Sequence, residues 1–170
     1  MRWNILKELL KDELQTVGAE IGISRGKMTK QVLNLMTDIE TYYCVDPWID
    51  DEDYFEAINE HFDFNEIYQS YRNNTHKFRD KIVELRMKGT EAVKMIPAGS
   101  LDFCFIDANH LYRHIKNDIE IWSPKVRKGG LLGGHDYGWK HKGVKKAVDE
   151  LLPEAFTVKE GNCWTWWIWI

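Results

Sequence analysis

Four residues carry the groups of a compact polar site: Asp107, His110, His135 and Asp136. Asp107 closes the apolar run Leu101-Asp102-Phe103-Cys104-Phe105-Ile106, so its carboxylate emerges where a strand buried on both faces reaches its edge. His110 follows three residues later, and His135-Asp136 closes a second run, Gly129-Gly130-Leu131-Leu132-Gly133-Gly134. Carboxylates, imidazole and water can together hold one hard divalent cation, Mg²⁺ if oxygens dominate and a softer metal if His135 is a ligand. The alternative for Asp107 is an N-cap on the following helix.

A second group has the makings of a nucleotide cradle. Val17 to Ile21 ends in Glu20 and is followed by Gly22 and Gly26, then by Met28, Val32, Leu35 and Met36 at helical spacing. Glycine takes backbone angles closed to other residues and lets a ligand approach the main chain. The helix behind it presents unpaired N–H groups and a positive dipole end. Asp46 lies 24 residues after Gly22, at the tip of the run Thr41 to Asp46. An acid there can accept hydrogen bonds from both ribose hydroxyls, or serve as a plain turn residue before Pro47.

These groups must be delivered by regular elements. Ile5, Leu6, Leu9, Leu10 and Leu14 form an amphipathic helix that covers one face of a sheet. The strands predicted after it are Val17 to Ile21, Thr41 to Asp46, Ile82 to Met87, Leu101 to Asp107 and Gly129 to Gly134. Helices follow each: to Met36, one or two within the acidic, aromatic stretch 50–79 with a break near Asp63, then Gly89 to Ile96, Leu111 to Trp122, and Val144 to Leu152. Two further strands, Ala155 to Lys159 and Cys163 to Ile170, flank Gly161-Asn162, a hairpin signal. Five β-α units and a closing hairpin predict an α/β fold, a Rossmann-like, seven-stranded, mostly parallel sheet with the last strand antiparallel and helices on both faces. In such a sheet ligands bind beyond the carboxyl ends of the strands, where Glu20, Asp46, Glu91, Asp107 and Asp136 are placed.

The 170 residues suit one domain, 1–170, with 50–79 as a candidate substrate-side insertion or cap. A net charge of −4 gives no support for a nucleic-acid partner, and the basic run Lys140 to Lys146 reads as a solvated helix start. Cys44, Cys104 and Cys163 sit inside apolar runs without metal-finger spacing, as buried thiols do in a reducing compartment. No apolar stretch approaches a membrane span, so a cytoplasmic protein is expected. The tail Trp164 to Ile170 is apolar on both faces, as a buried strand is, or else forms a self-association patch in a homo-oligomer.

The sequence resembles class I S-adenosylmethionine-dependent methyltransferases in Glu20-Ile21-Gly22-Ile23-Ser24-Arg25-Gly26, Val45-Asp46-Pro47-Trp48, Phe105-Ile106-Asp107-Ala108-Asn109-His110-Leu111-Tyr112 and Gly133-Gly134-His135-Asp136-Tyr137. The subgroup most similar is the small family that includes macrocin-type sugar O-methyltransferases, with Ala108 here in place of that family's glycine. The resemblance implies that Glu20, Gly22, Ser24 and Gly26 line the methionine and ribose of the cofactor. It places Asp46 on the ribose hydroxyls, Trp48 beside the adenosine, and Thr90 and Glu91 at the adenine. More distant catechol-type relatives hold a divalent ion at the positions of Asp107, His135 and Asp136, although their second and third ligands are Asp and Asn. A general base three residues after the first ligand corresponds to His110, whose ordinary pKa near 6.5 suits proton transfer.

The expected function is O-methylation of a small hydroxylated molecule. The competing readings are a nicotinamide-dependent oxidoreductase and a non-catalytic cofactor-binding subunit. Gly18, Gly22 and Gly26 do not spell Gly-x-Gly-x-x-Gly, which weighs against the first.

Overall fold

The run Leu101–Ile106 becomes the central strand of a seven-stranded sheet in the computed structural model, which describes residues 1–11, 16–49, 63–138, 140–160 and 163–170. The strands are β1 (Val17–Ile21), β2 (Thr41–Val45), β3 (Ile82–Leu85), β4 (Leu101–Ile106), β5 (Val126–Gly134), β6 (Phe156–Glu160) and β7 (Cys163–Trp169). Their order in the sheet is β3-β2-β1-β4-β5-β7-β6. The first five run parallel, and β7 is antiparallel to both its neighbours. The chain steps outward from β1 to β3, then returns to lay β4 on the other side of β1. The strand order therefore reverses between β1 and β4, which makes their carboxyl ends the expected ligand crevice.

Alternation along the strands supplies two cores. Ala19, Ile21, Cys104, Ile106, Leu132 and Trp166 face α4 (Gly89–Ala92), α5 (Tyr112–Trp122) and α6 (Lys142–Leu151). Tyr42, Cys44, Phe103, Phe105 and Leu131 face α1 (Arg2–Leu10), α2 (Lys27–Leu35) and α3 (Phe64–Thr75). Each longer helix buries residues four apart: Leu6 and Leu10, Met28 and Val32, Ile67 and Tyr71, Ile115 and Ile119, Val144 and Val148. The break expected near Asp63 is the start of α3, where the Asp63 side chain accepts from the amides of Asn65 (2.8 Å) and Glu66 (3.2 Å). Much of the stretch expected as an insertion, 50–62, lies outside the described residues, and so do Leu14 and the hairpin turn 161–162.

β5 begins three residues earlier than its glycine pattern suggests. Gly129 and Gly130 do not open the strand. They sit within it at a register shift against β4, where Leu101 pairs with Val126 but Phe103 pairs with Leu131. Asp102 ties this end of the sheet together. Its Oδ2 accepts from the Thr16 (2.7 Å) and Val17 (2.8 Å) amides, and its Oδ1 from Arg127 Nε (2.8 Å). Cys44 and Cys104 are buried free thiols, as expected, whereas the Cys163 side chain is outside the description. No described helix is long and apolar enough to cross a membrane.

Candidate active site

The turn after β1 and the tip of β4 touch. Gly22 adopts φ +88°, and a Cβ built on it would lie 2.3 Å from the Asp107 carbonyl oxygen and 2.7 Å from Ala108 Cα. Only glycine fits there, on conformational and steric grounds alike. The turn continues through Ser24 (φ 51°) to Gly26 (φ 69°), which caps α2 in the left-handed conformation. Asp46 holds the turn from the end of β2. Its Oδ2 accepts from the amides of Ile23 and Ser24, both at 2.9 Å, and Oδ1 from the Trp48 amide at 2.8 Å. Since a carboxylate offers roughly four acceptor positions, about one stays open. Burial raises the Asp46 pKa against these three backbone hydrogen bonds.

Two of the expected cofactor residues are not brought to this edge. Glu20 is 1% exposed, and its Oε2 accepts from Thr29 Oγ1 (2.8 Å) and Tyr42 Oη (3.0 Å), underneath the turn. Trp48 is 2% exposed, its ring packed on Tyr68 and Tyr71 and its Nε1 donating to the Ser24 carbonyl at 2.9 Å. Both residues face inward: Trp48 braces the turn, and Glu20 ties β1 to α2 and β2. Thr90 and Glu91 are exposed at the start of α4, and Ser24 is exposed on the turn.

The four acid and imidazole groups meet at the ends of β4 and β5. His110 Nε2 lies 2.9 Å from Asp136 Oδ2, and His135 Nδ1 lies 3.1 Å from Asp136 Oδ1 and 3.8 Å from Asp107 Oδ1. Asp136 reaches both imidazoles from a left-handed backbone conformation, φ 58°. Two participants had no signal in the sequence reading. His141 stands with its ring 4.3 Å from that of His110 and its Nε2 3.7 Å from Asp136 Oδ1, because Gly143 lets α6 close on the loop. A Cβ on Gly143 would lie 2.3 Å from the His110 carbonyl oxygen. Arg2 enters from the first turn of α1, with Nη2 2.9 Å from Asp107 Oδ2 and Nη1 3.1 Å from His135 Nδ1.

Charge is distributed unevenly over the cluster. Burial works against the Asp136 carboxylate, yet hydrogen bonds from His110 and His135 hold it well below the usual carboxylate range. Burial likewise lowers the His110 pKa, but the Asp136 hydrogen bond and charge, with Asp107, bring it above its ordinary value. Asp107 is raised by burial, against the attraction of Arg2 and His135. His135 Nδ1 cannot accept from Arg2 and donate to Asp136 at once, so these two contacts are alternative states of one ring.

Asp107, His135 and Asp136 present ligand atoms within 4.8 Å of one another, close enough to share an ion. With Arg2 in place they fit one poorly: its guanidinium, 2.9 Å from Asp107 Oδ2, already supplies positive charge there, and its repulsion of a dication opposes the attraction of the two carboxylates.

The profile of a family described as a methyltransferase domain matches residues 19–137, which contain the turn, Asp46 and the acid and imidazole residues up to Asp136. No curated protein sequence matches the chain. Among solved structures, an O-methyltransferase from Bacillus cereus in complex with SAH superposes with a TM-score of 0.71 at 13% identity, over 99% of this chain and 80% of that one. The cofactor-bound protein Rv0187 from MTB gives 0.73 at 11% identity, over 98% and 78%. Spermidine synthase from Thermotoga maritima gives 0.63 at 12% identity, over 91% and 53%. At these identities the superpositions establish the fold, and that fold serves more than one chemistry.

Proposed function

The chain belongs to the methyltransferase-domain family, and on that premise we propose that it transfers a methyl group from S-adenosylmethionine to a hydroxyl oxygen of a small molecule, with a sugar as one candidate acceptor. The observation that carries this reading is the contact between the two halves of the edge. Gly22 of the cradle lies directly against Asp107 of the polar cluster. A donor held by the turn and an acceptor held by the cluster would therefore meet across one short gap, as an in-line displacement requires.

The cradle suits the cofactor. Gly22, Ser24 and Gly26 would line its methionine and ribose portions, the open acceptor position of Asp46 would take a ribose hydroxyl, and Thr90 and Glu91 would stand by the adenine. Glu20 and Trp48 support this arrangement from beneath, through Thr29, Tyr42 and the Ser24 carbonyl. When bound, S-adenosylmethionine supplies an electrophilic methyl group on a sulfonium.

His110 is the base in this scheme. Its Nε2–H donates to Asp136 Oδ2, which fixes the tautomer and leaves Nδ1 to accept a proton. As the acceptor oxygen bonds to the methyl carbon and the carbon–sulfur bond breaks, the hydroxyl proton passes to His110 Nδ1. The products are a methyl ether and S-adenosylhomocysteine. The raised pKa of His110 puts the active, neutral form on the alkaline side of its ordinary titration range.

Calorimetry with S-adenosylhomocysteine and with NAD tests the reading. Saturable binding of S-adenosylhomocysteine alone is expected, and binding of NAD alone would replace methyl transfer with an oxidoreductase. An untargeted mass-spectrometric screen for methylated products then identifies the acceptor.

A further inference from the structure

Arg2 is the one group in the cluster that cannot lose its charge. Its guanidinium is anchored on Asp107 Oδ2 at 2.9 Å, and its Nη1 lies 3.1 Å from His135 Nδ1, which accepts from it only when that nitrogen is not donating to Asp136. Asp107 and His135 belong to the trio whose ligand atoms could share an ion. Its Nε is buried and has no hydrogen-bond partner among the described residues. The side chain as a whole is 27% exposed. A guanidinium carries five N–H donors, and the contacts with Asp107 and His135 engage two of them.

We infer that Arg2 is the resident cation of this site: it stands where a divalent metal would bind, neutralises Asp107, and offers its remaining N–H groups to the acceptor oxygen as the proton leaves. The inference rests on the reading of this edge as the acceptor site. Both devices stabilise a developing oxyanion with positive charge, but only one can occupy the place. A planar fork differs from an ion in giving direction: it fixes the acceptor oxygen by paired N–H bonds. The divalent ion implied by the sequence resemblance is thus displaced by a residue on another element, ahead of the matched family segment.

The test is Mn²⁺ binding, followed by electron paramagnetic resonance, on the full chain, Arg2→Gln and Arg2→Lys. S-adenosylhomocysteine calorimetry on each checks that the cradle is intact. Arg2→Gln is expected to bind Mn²⁺ at least about tenfold more tightly than the unaltered chain, while Arg2→Lys, which keeps the charge, stays close to it. Turnover of the unaltered chain is expected to survive a chelator, and turnover of Arg2→Gln to fall and recover in part on adding Mn²⁺. Equal Mn²⁺ affinity in all three, or chelator-sensitive turnover of the unaltered chain, would overturn the assignment. Failure of S-adenosylhomocysteine to bind would instead defeat the methyl-transfer reading, and the Mn²⁺ comparison would still decide what occupies the cation position.

Discussion

Glu20→Gln offers a quantitative probe of the ground beneath the cradle. Glu20 lies within β1, and burial pushes its pKa from 4.5 up to about 8 despite hydrogen bonds from Thr29 and Tyr42. The unfolded chain releases this proton near the ordinary value, whereas the folded chain keeps it until about pH 8. Between those points the folded state binds one proton more, so stability falls as pH rises, by about 1.4 kcal/mol per pH unit. Across the whole interval the loss is roughly 5 kcal/mol, comparable with the entire stability of a marginal domain. Glutamine keeps a carbonyl oxygen for both hydroxyl donors and does not titrate. Urea unfolding at about pH 5, 6, 7 and 8 is expected to show the variant gaining on the parent by roughly 1.4 kcal/mol per unit, with the gain levelling off above about pH 8. Taking the difference between variant and parent cancels the other titrating groups. Parallel curves for the two proteins would refute the reasoning, because they would mean that the folded chain does not retain this proton.

Three further expectations concern the edge itself. His110→Ala should keep its affinity for S-adenosylhomocysteine and lose turnover by a factor on the order of 10² to 10⁴; unchanged turnover removes the base role. Asp136→Asn takes away the partner that raises the His110 pKa and leaves the opposing effect of burial. The imidazole titration, followed by ¹⁵N NMR, and the alkaline-rising limb of the pH–rate profile should therefore both move to lower pH, and a stationary midpoint would count against the ion pair. Gly22→Ala forces a side chain into φ +88° and against the Asp107 carbonyl. A stability loss of roughly 1–3 kcal/mol or more, with weakened S-adenosylhomocysteine binding, should appear in thermal unfolding and calorimetry.

Much of this arrangement could be read from residue order, because strands and helices alternate with clear periods and the acids stand where the apolar runs stop. Asp107 and Asp136 were legible as edge residues for that reason, whereas Gly22, expected to admit a ligand, lies against the Asp107 backbone. Glu20 and Trp48 were not legible in their real positions. A residue at a strand end can face the crevice or the core, and here the hydroxyls of Thr29 and Tyr42 and the Ser24 carbonyl draw both inward. Arg2 and His141 escaped for a different reason. Their helices looked like ordinary covering elements, and the contacts that matter span 133 residues from Arg2 to His135. The close packing of α6 on the His110 loop depends on Gly143, a glycine with no motif around it.

The antiparallel course of β7 has a practical consequence for handling the protein. Trp166 pairs with Gly134 near the crevice, Trp169 pairs with Leu131, and Ile170 exchanges backbone bonds with Gly129 and Gly130 at the opposite rim of the sheet. Met1, by contrast, precedes the arginine lodged between Asp107 and His135. A fluorophore or surface tether carried on the exposed Ile170 position hangs from the far rim and leaves the crevice clear. The same label on the exposed Met1 position sits one residue from the guanidinium, where it can pull Arg2 out of register and make an intact protein look inactive.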